Sequence, residues 1–282
     1  MRFKRSLLIL FLLCAGLFVR AQVPAARKVL DDMLASIDRV RTAEFRLKQY
    51  ERYEGEIFLE DDFVRLKISP LKIFLRVIEP TAGAEVLWVE GMNKGEAWVH
   101  PNGFPYFTLS LNPDSKILRK GHHNIFAIQP GYMAGIVRST ISRSGEAFNR
   151  CLVDEGEAIF DNQACSRITI DYAPFAWSEY TVRAGESLIE IASRLHLSEY
   201  MILEKNKLKS YRDVHAGQAI LIPNCYARRL TLYISRKTML PVVELIYDEQ
   251  GLFERYEFTQ VRINPVFPAE EFSESNPAYH FH

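Results

Sequence analysis

The sequence predicts an α+β protein in which one antiparallel β-sheet carries two covering helices and is interrupted by a small βααβ domain. Apolar and polar residues alternate with a period of two in segments between residues 45 and 172, and again over residues 230–263. Between these regions the period is helical, and the alternation resumes at once after Arg229. We therefore expect a small domain inserted at a loop of a larger sheet domain.

Residues 1–21 have the three-part pattern of a secretory signal peptide. Basic residues within Met1 to Arg5 precede an apolar run from Leu7 to Phe18, and Ala21 stands before the expected cleavage point. The run is roughly a dozen residues, shorter than the ~20 that a membrane-spanning helix needs. We expect export to the periplasm or cell envelope of a bacterium, loss of Cys14 with the leader, and no transmembrane segment after cleavage.

Charge excludes one class of partner. The chain contains 35 basic and 35 acidic residues, and the predicted leader holds basic residues and no acidic one. The mature chain is therefore mildly acidic, which does not favour binding to nucleic acid. Its hydrophobic content of 48% is that of a globular protein.

The first half of the host domain begins with a helix and continues as strands. A helix is predicted from Pro24 to Asp38, because apolar residues recur there at helical spacing. The predicted strands that follow lie around Phe45 to Leu47, Val64 to Ile68, Lys72 to Ile78, Glu85 to Val89, Glu96 to His100 and Phe107 to Leu111. Short connections between them indicate an antiparallel meander.

The second half has the same organisation. A second helix is predicted to begin near Pro130, since proline suits the first turn of a helix. Further strands are predicted over Phe148 to Val153, Ser166 to Tyr172, Arg229 to Ile234, Val242 to Tyr247 and Phe253 to Ile263. Without the insert, the second and third of these would form a hairpin. We predict a host domain of residues 22–178 and 226–272, an insert of residues 179–225, and a frayed tail of residues 273–282.

The insert is predicted to fold as a βααβ unit. Ser187 or Glu186 can cap a helix that begins at Leu188, and Asn206 suits a left-handed helix end. Its two strands lie at opposite ends of the segment. If they pair antiparallel, the entry and exit of the insert lie side by side, as insertion into a hairpin requires.

This segment closely resembles the LysM family, and the match covers the full length of a LysM module. Four parts of the segment carry the resemblance. They are the opening Tyr180 to Leu188, the pair Ile191-Ala192, Asn206, and the closing Gly217 to Pro223. The resemblance implies binding of N-acetylglucosamine-containing glycan, with peptidoglycan strands as the expected partner and chitin as the other possibility that family membership leaves open.

In LysM modules the glycan lies in a shallow groove between two loops, whose backbone groups contact the acetamido groups. When the family's groove positions are matched to this sequence, the predicted glycan-binding residues are Gly185, Glu186, Ser187, Leu188, Val214, His215, Ala216, Gly217 and Gln218. The family usually has Asp-Thr at Glu186-Ser187 and often proline at Ala216. An alternative role for several of them, notably Leu188 and Gly217, is to maintain the fold.

The host domain resembles an uncharacterised family of exported proteins related to outer-membrane lipoprotein carriers. The resemblance rests on Pro80 to Leu87, Asn102-Gly103, Leu111 to Ser115 and Tyr247 to Asn264. It implies a half-barrel, an open antiparallel β-sheet whose concave face is covered by helices and can hold acyl chains.

Three roles for the host domain stay open. Aromatic residues in or near its strands could line a cavity for lipid or lipoprotein acyl chains: Phe74, Trp88, Trp98, Phe104, Tyr106 and Phe107. The same residues could instead fill a closed core. In a third hypothesis the host is a platform for a partner protein, localised to the wall by the LysM insert.

We predict no enzymatic activity. Cys151, Cys165 and Cys225 stand in no recognisable catalytic motif and are expected to be buried thiols, although two of them could instead form a disulfide. His122 and His123 are adjacent and are expected to point in different directions. Residues 54–62 are acid-rich and are interpreted as a solvated turn, so we predict no metal site and no cofactor.

Overall fold

The computed structural model describes residues 25–119 and 121–281, so the predicted signal peptide lies outside the described residues. The helices are α1 (25–37), α2 (Pro130–Ser144), α3 (Leu188–Leu195) and α4 (Glu199–Lys205). The strands are β1 (Thr42–Tyr53), β2 (Glu56–Lys67), β3 (Lys72–Glu79), β4 (Glu85–Val89), β5 (Ala97–His100), β6 (Leu109–Leu111), β7 (Leu152–Phe160), β8 (Gln163–Asp171), β9 (Trp177–Thr181), β10 (Ala219–Pro223), β11 (Arg229–Ser235), β12 (Pro241–Tyr247) and β13 (Leu252–Ile263). None of the described helices is long and apolar enough to cross a membrane.

Eleven of these strands form one open antiparallel sheet, and β9 and β10 form a second, two-stranded sheet. The order in the large sheet is β6-β5-β4-β3-β2-β1-β13-β12-β11-β8-β7. Pairing of β1 with β13 joins the early strands to the late ones. The predicted fold class, an α+β protein with an open antiparallel sheet and few helices, is confirmed.

The large sheet curves around the face that α1 and α2 cover. Side chains from seven strands that are adjacent in the sheet line one cavity. These strands are β5, β4, β3, β2, β1, β13 and β12. Laid flat, seven strands would span roughly 29 Å at a spacing of ~4.8 Å, so the sheet must bend to bring them together. Leu30 and Met33 of α1 and Met133 and Val137 of α2 join the inward-facing strand residues in the largest core.

The hairpin expected across the insert is present. β8 pairs antiparallel with β11, from Asp171 opposite Arg229 to Cys165 opposite Ser235. Within the insert, β9 pairs with β10, so its two ends meet at Trp177 and Pro223. This adjacency allows residues 177–223 to interrupt the hairpin without breaking its ladder.

The insert has its own small core and also contacts the host. Leu188, Ile191 and Ile222 belong to the insert's core. Tyr200 and Met201 of α4, in contrast, are part of the host's core. Because α4 has one apolar face toward each core, the insert is docked on the host.

The acid-rich segment is not a solvated turn, and that prediction was wrong. Glu54 lies in the turn between β1 and β2, but Asp61 and Asp62 lie within β2 and are buried. Arg46 on the neighbouring strand pairs with Asp61, with 2.6 Å between Nη2 and Oδ2. A nearby guanidinium makes burial of that carboxylate tolerable.

The described part of the predicted tail is ordered against the sheet, so the expectation of fraying was wrong. Phe272, Tyr279 and Phe281 are buried against Phe74 and Leu87 on the sheet face opposite α1 and α2. The Tyr279 ring stacks on Phe74 with ring centroids 3.9 Å apart. Phe74 points away from the cavity, and the C-terminal segment covers it.

Two local boundaries also differ from the predictions. Phe148 lies in a 3-10 turn, Gly145–Cys151, and the strand begins only at Leu152. Asn206 ends α4 with a φ of −90°, and the left-handed conformation falls on Lys207 instead. The Asn206 side chain bonds both the Ile202 carbonyl and the Leu221 backbone, which hold its position.

Candidate functional site

Two loops of the insert lie side by side at one end of its small sheet. One follows β9 and contains residues 183–187, and the other precedes β10 and contains residues 214–218. The Val182 amide donates to the Gln218 carbonyl and the Gly217 amide donates to the Val182 carbonyl, both at 2.9 Å. These bonds extend the β9–β10 ladder and place the loops next to each other.

Glu186, one of the predicted glycan-binding residues, uses its carboxylate within the fold. It accepts a hydrogen bond from the Tyr180 hydroxyl at 2.6 Å and one from the Arg183 amide at 3.0 Å. Arg194 adds an ion pair at 2.7 Å. The Tyr180 hydrogen bond, the Arg183 amide and Arg194 together lower the pKa of Glu186 to about 2.

Three more of the predicted residues support the fold through their side chains. Ser187 caps α3 in a capping box with Glu190. Leu188 is fully buried in the insert's core. The side-chain oxygen of Gln218 accepts a hydrogen bond from the His215 amide at 3.1 Å. The sequence match at these positions therefore has a structural explanation.

The remaining five predicted residues form the accessible surface of the two loops. Gly185, His215, Ala216 and Gly217 are exposed, and Val214 is half-buried. Within the described residues, the backbone amides of Gly185 and Ala216 have no hydrogen-bond partner. This surface offers free backbone donors beside an apolar side chain, which suits a flat, polar ligand with apolar faces.

A cavity of about 190 Å³ lies between the curved sheet and the segment around α2. Most of its lining is apolar and comes from Leu47, Leu75, Val77, Val86, Val99, Ile125, Ile128, Met133, Ile136, Ile246 and Phe258. Glu51, His123, Tyr226, Glu244 and Tyr256 form the polar end of the lining, which also includes the polar residues Gln49, Glu60 and Asp62. The cavity is therefore amphipathic.

The six aromatic residues that suggested a carrier cavity do not line it. Phe74 faces the opposite side of the sheet, because its neighbours Ile73 and Leu75 on β3 face the main core. Phe104 and Tyr106 are 87% and 77% exposed. The apolar wall of the cavity is mostly aliphatic, and Phe258 of β13 is its aromatic member.

A buried cluster of histidines and glutamates lies at the polar end of the cavity. His122 Nδ1 is 2.7 Å from Glu254 Oε1, and its Nε2 is 2.9 Å from the Arg52 carbonyl oxygen. His123 Nε2 is 3.1 Å from the same Glu254 oxygen. The prediction that the two imidazoles point in different directions was wrong, because both reach the carboxylate that β13 supplies.

Glu51 completes the cluster from β1. Its Oε2 accepts a hydrogen bond from the His122 amide at 2.6 Å, and its Oε1 accepts one from the Tyr256 hydroxyl at 2.6 Å. A Cβ atom at Gly121 would lie 1.8 Å from Glu51 Oε2. Glycine at this position therefore lets the chain before His122 approach the carboxylate.

Opposite charges perturb the titration of the cluster. Burial alone would lower the pKa of His123, but the carboxylates of Glu199 and Glu254 outweigh it and raise that pKa well above its ordinary value. For Glu254, burial would raise the pKa, and the two imidazoles lower it instead. The buried histidines and carboxylates thus stabilise each other's charged forms.

The insert covers this cluster. Glu199 at the start of α4 lies 3.5 Å from His123 Nδ1 and 2.7 Å from Arg119 Nη1. The Tyr200 ring stacks on His122 with centroids 4.2 Å apart. The polar end of the host's cavity is therefore built partly from residues of the insert.

Sequence reasoning missed this cluster, although a signal was present. Glu51 continues the inward parity of Phe45 and Leu47 on β1, and Glu254 shares the parity of Tyr256 and Phe258 on β13. A carboxylate on the apolar parity of a strand indicates a buried polar site.

Comparison with known families and structures gives the following similarities. Residues 40–182, just over half of the chain, match the family described as "Protein of unknown function (DUF1571)", and residues 180–223 match the LysM domain. Curated protein sequences yield no match.

Three solved structures illustrate the structural matches. The lipoprotein LppX from Mycobacterium tuberculosis is 14% identical, with 86% of this chain and 98% of that chain covered and a TM-score of 0.41. LprF from Mycobacterium bovis is 12% identical, with 86% and 95% covered and a TM-score of 0.40. A putative outer membrane lipoprotein-sorting protein domain from Vibrio parahaemolyticus is 8% identical, with 91% and 97% covered and a TM-score of 0.33.

The family match ends where the LysM match begins, near β9, and the sheet described above resumes after it at β11. The chain belongs to the DUF1571 family and carries a LysM domain at residues 180–223.

Proposed function

We propose that this chain is an exported, non-enzymatic protein of the bacterial cell envelope that binds the N-acetylglucosamine-containing glycan of peptidoglycan through its LysM domain. The observation that carries the proposal is the pair of adjacent loops at residues 183–187 and 214–218. Their exposed surface, at Gly185 and at Val214 to Gly217, combines free backbone amides with a partly apolar side chain.

The nine predicted glycan-binding residues have two different roles in this proposal. Gly185, Val214, His215, Ala216 and Gly217 would contact the glycan. Glu186, Ser187, Leu188 and Gln218 would hold the loops in place through the bonds and packing described above. A single module with few contacts is expected to bind weakly, so several chains on one polymer would gain from avidity.

Co-sedimentation of the mature protein with purified peptidoglycan sacculi tests this proposal. Ala216→Glu places a bulky charge in the groove, and Ala164→Glu makes the same change at an exposed position on β8 of the host. We expect the wild type and A164E to pellet with sacculi and A216E to stay in the supernatant. Equal pelleting of A216E and the wild type would contradict the groove, and a wild type that does not pellet would contradict glycan binding. Parallel assays on chitin determine the preferred polymer.

A second candidate function rests on the cavity. Its aliphatic walls and polar end suit a molecule with an apolar chain, so we propose that the host domain holds a lipid or a lipoprotein acyl chain. About 190 Å³ is below the roughly 300 Å³ at which small-molecule pockets commonly begin. A bound chain would therefore be short, or α2 and its loop would move outward.

Native mass spectrometry of gently extracted protein tests the second candidate. Val99→Phe fills the cavity, and Val266→Phe makes the same substitution at a residue that is 97% exposed. We expect a lipid-sized added mass on the wild type and on V266F and its loss from V99F. Wild-type protein without added mass would contradict the carrier role and favour the platform role.

A further inference from the structure

Four residues capable of binding a metal converge at the polar end of the cavity from distant parts of the chain. Glu51 comes from β1, His122 and His123 from the loop before α2, and Glu254 from β13. One donor atom from each lies within 4.8 Å of all the others. Imidazole nitrogens and carboxylate oxygens in one small volume are the ligand types of zinc and related divalent ions.

Both imidazoles are oriented by an oxygen on the side away from the cluster. His122 presents Nδ1 to Glu254 while its Nε2 lies 2.9 Å from the Arg52 carbonyl. His123 presents Nε2 to Glu254, and its Nδ1 lies 3.3 Å from the Tyr132 hydroxyl and 3.5 Å from Glu199. Histidines that ligate metals hold their second nitrogen against a carbonyl or carboxylate in this manner.

The charge of the surroundings suits a divalent cation. Neutral imidazole is the form that binds a metal. With both imidazoles neutral, the carboxylates of Glu51, Glu199 and Glu254 face one buried guanidinium, that of Arg119. Arg119 also pairs with Asp114, so negative charge exceeds positive charge around the site, and a divalent cation would reduce that excess.

The four donor atoms lie within 4.8 Å of one another, and the Tyr226 hydroxyl, 2.8 Å from His123 Nε2, would have to move aside for an ion. In a tetrahedral zinc site with bonds of ~2.0 Å, neighbouring ligand atoms lie roughly 3.3 Å apart. Glu254 Oε1 lies 2.7 Å from His122 Nδ1 and 3.1 Å from His123 Nε2. The ligands would move apart by a few tenths of an ångström. Glu51 and His123 also line the cavity, which provides a route for entry.

We infer that Glu51, His122, His123 and Glu254 form a binding site for a divalent transition-metal ion of the zinc type. The site lies in the host domain and is independent of the glycan groove. Glu199 and the Arg52 carbonyl orient the two histidines. Because Glu199 belongs to α4, the bound ion would also strengthen the contact between the host and the LysM domain.

Metal binding can be measured directly on the mature protein, purified without a histidine tag and stripped with a chelator. We expect one equivalent of Zn²⁺ per chain to remain after gel filtration at pH 7.5. We also expect Co²⁺ to give the visible absorption of a four-coordinate or five-coordinate ion with nitrogen and oxygen ligands. X-ray absorption of the zinc form should show two imidazoles in the first coordination sphere.

Matched histidine variants place the ion. His123→Gln should weaken Zn²⁺ binding by more than about 100-fold, and His196→Gln, an exposed change outside both the cluster and the glycan groove, should leave Zn²⁺ binding unaltered. Glu199→Gln should weaken Zn²⁺ binding by roughly 10–100-fold, because it removes a group that orients His123 but none of the four metal ligands. If H123Q does not fold, Glu51→Gln replaces it, and circular dichroism of the metal-free variants verifies the fold.

Two results would overturn the inference. One is wild-type protein that retains less than a tenth of an equivalent of Zn²⁺ and shows no Co²⁺ absorption, in which case the cluster is a metal-free ion-pair network. The other is Zn²⁺ binding that survives unweakened in H123Q or E51Q. Neither result bears on sedimentation with sacculi, so failure of this site and failure of glycan binding are distinguishable.

Discussion

Glu244 is a buried carboxyl group on the inward parity of β12, 5% exposed and facing the cavity. Burial raises its pKa from 4.5 to about 8, and repulsion from Glu254 acts in the same direction. The raised pKa means that the folded state binds this proton more tightly than the unfolded state. Its contribution to stability is therefore complete below about pH 4.5 and is lost as the pH rises through 8.

Glu244→Gln should remove the loss of stability that the Glu244 carboxyl group causes as the pH rises. Urea unfolding in the presence of a chelator is expected to show the variant close to the wild type at pH 5. At pH 9 it should be more stable by a few kcal/mol, because the pKa of Glu244 rises from 4.5 to about 8 on folding and each unit corresponds to roughly 1.4 kcal/mol. Glu274→Gln, at an exposed position, should leave the pH profile of the wild type unchanged. A parallel fall in stability for E244Q and the wild type would contradict the buried carboxyl group as its cause.

Three cysteines are buried free thiols, which agrees with the interpretation that we favoured from the sequence. Burial raises the pKa of Cys225 to about 12, and burial also raises the pKa of Cys151 and Cys165. Thiolate is the reactive form, so these side chains should be inert at neutral pH.

Labelling with a thiol reagent at pH 8 tests this state of the cysteines. We expect the folded mature protein to react slowly, and unfolding in guanidinium to release three reactive thiols without any reducing agent. Release of a single thiol, with two more appearing only after reduction, would show a disulfide instead.

At the scale of elements, α3 depends on the residue that caps its start, Ser187. Ser187 and Glu190 satisfy each other's backbone amides at the start of an eight-residue helix. Helices this short are marginal without tertiary support, so the cap and the buried Leu188 together decide whether α3 forms.

Ser187→Ala should destabilise the LysM domain by about 1 kcal/mol because the cap is lost. Hydrogen exchange of the α3 amides should accelerate accordingly. Glycan binding at low temperature should be retained, because the hydroxyl is used within the helix. Ser193→Ala, an exposed change inside the same helix, serves as control and should not accelerate exchange. Loss of sacculus binding by folded S187A would show instead that the hydroxyl contacts the glycan.

At the scale of the whole molecule, Arg119 joins the two domains. Its guanidinium, 3% exposed, lies 2.9 Å from Asp114 of the host and 2.7 Å from Glu199 of the insert. It also lies over the Tyr211 ring of the insert, 4.7 Å from the centroid. The LysM domain is therefore held by a buried polar contact in addition to its two covalent connections.

Arg119→Met should leave the buried Glu199 carboxylate without its guanidinium partner. We expect this to lower the free energy of unfolding by roughly 3–5 kcal/mol. We expect calorimetry to show one cooperative transition for the wild type and, for R119M, a lower or divided transition. Arg212→Met, at an exposed position of the insert, should unfold like the wild type. Two separate transitions in the wild type would contradict a tightly docked insert.

The local pattern by itself determined most of the strands, the two long helices and the place of the LysM domain, but not the course of β2 through its acid-rich first half. Alternation in β8 and β11 was enough to predict their pairing across 57 intervening residues, since an inserted unit with adjacent ends does not disturb the ladder. The motifs of Tyr180 to Pro223 are also local, because they are the turns and caps of one small unit.

Tertiary structure alone decided the polar cluster and the side that each aromatic residue faces. His122 and Glu254 are separated by 132 residues and meet because β1 pairs with β13 and the curved sheet brings the loop before α2 onto them. Strand parity indicated that Glu51 and Glu254 point inward, but it could not indicate which inward residues are neighbours. Sequence periodicity specifies the face of a strand, whereas strand order and curvature specify what that face meets.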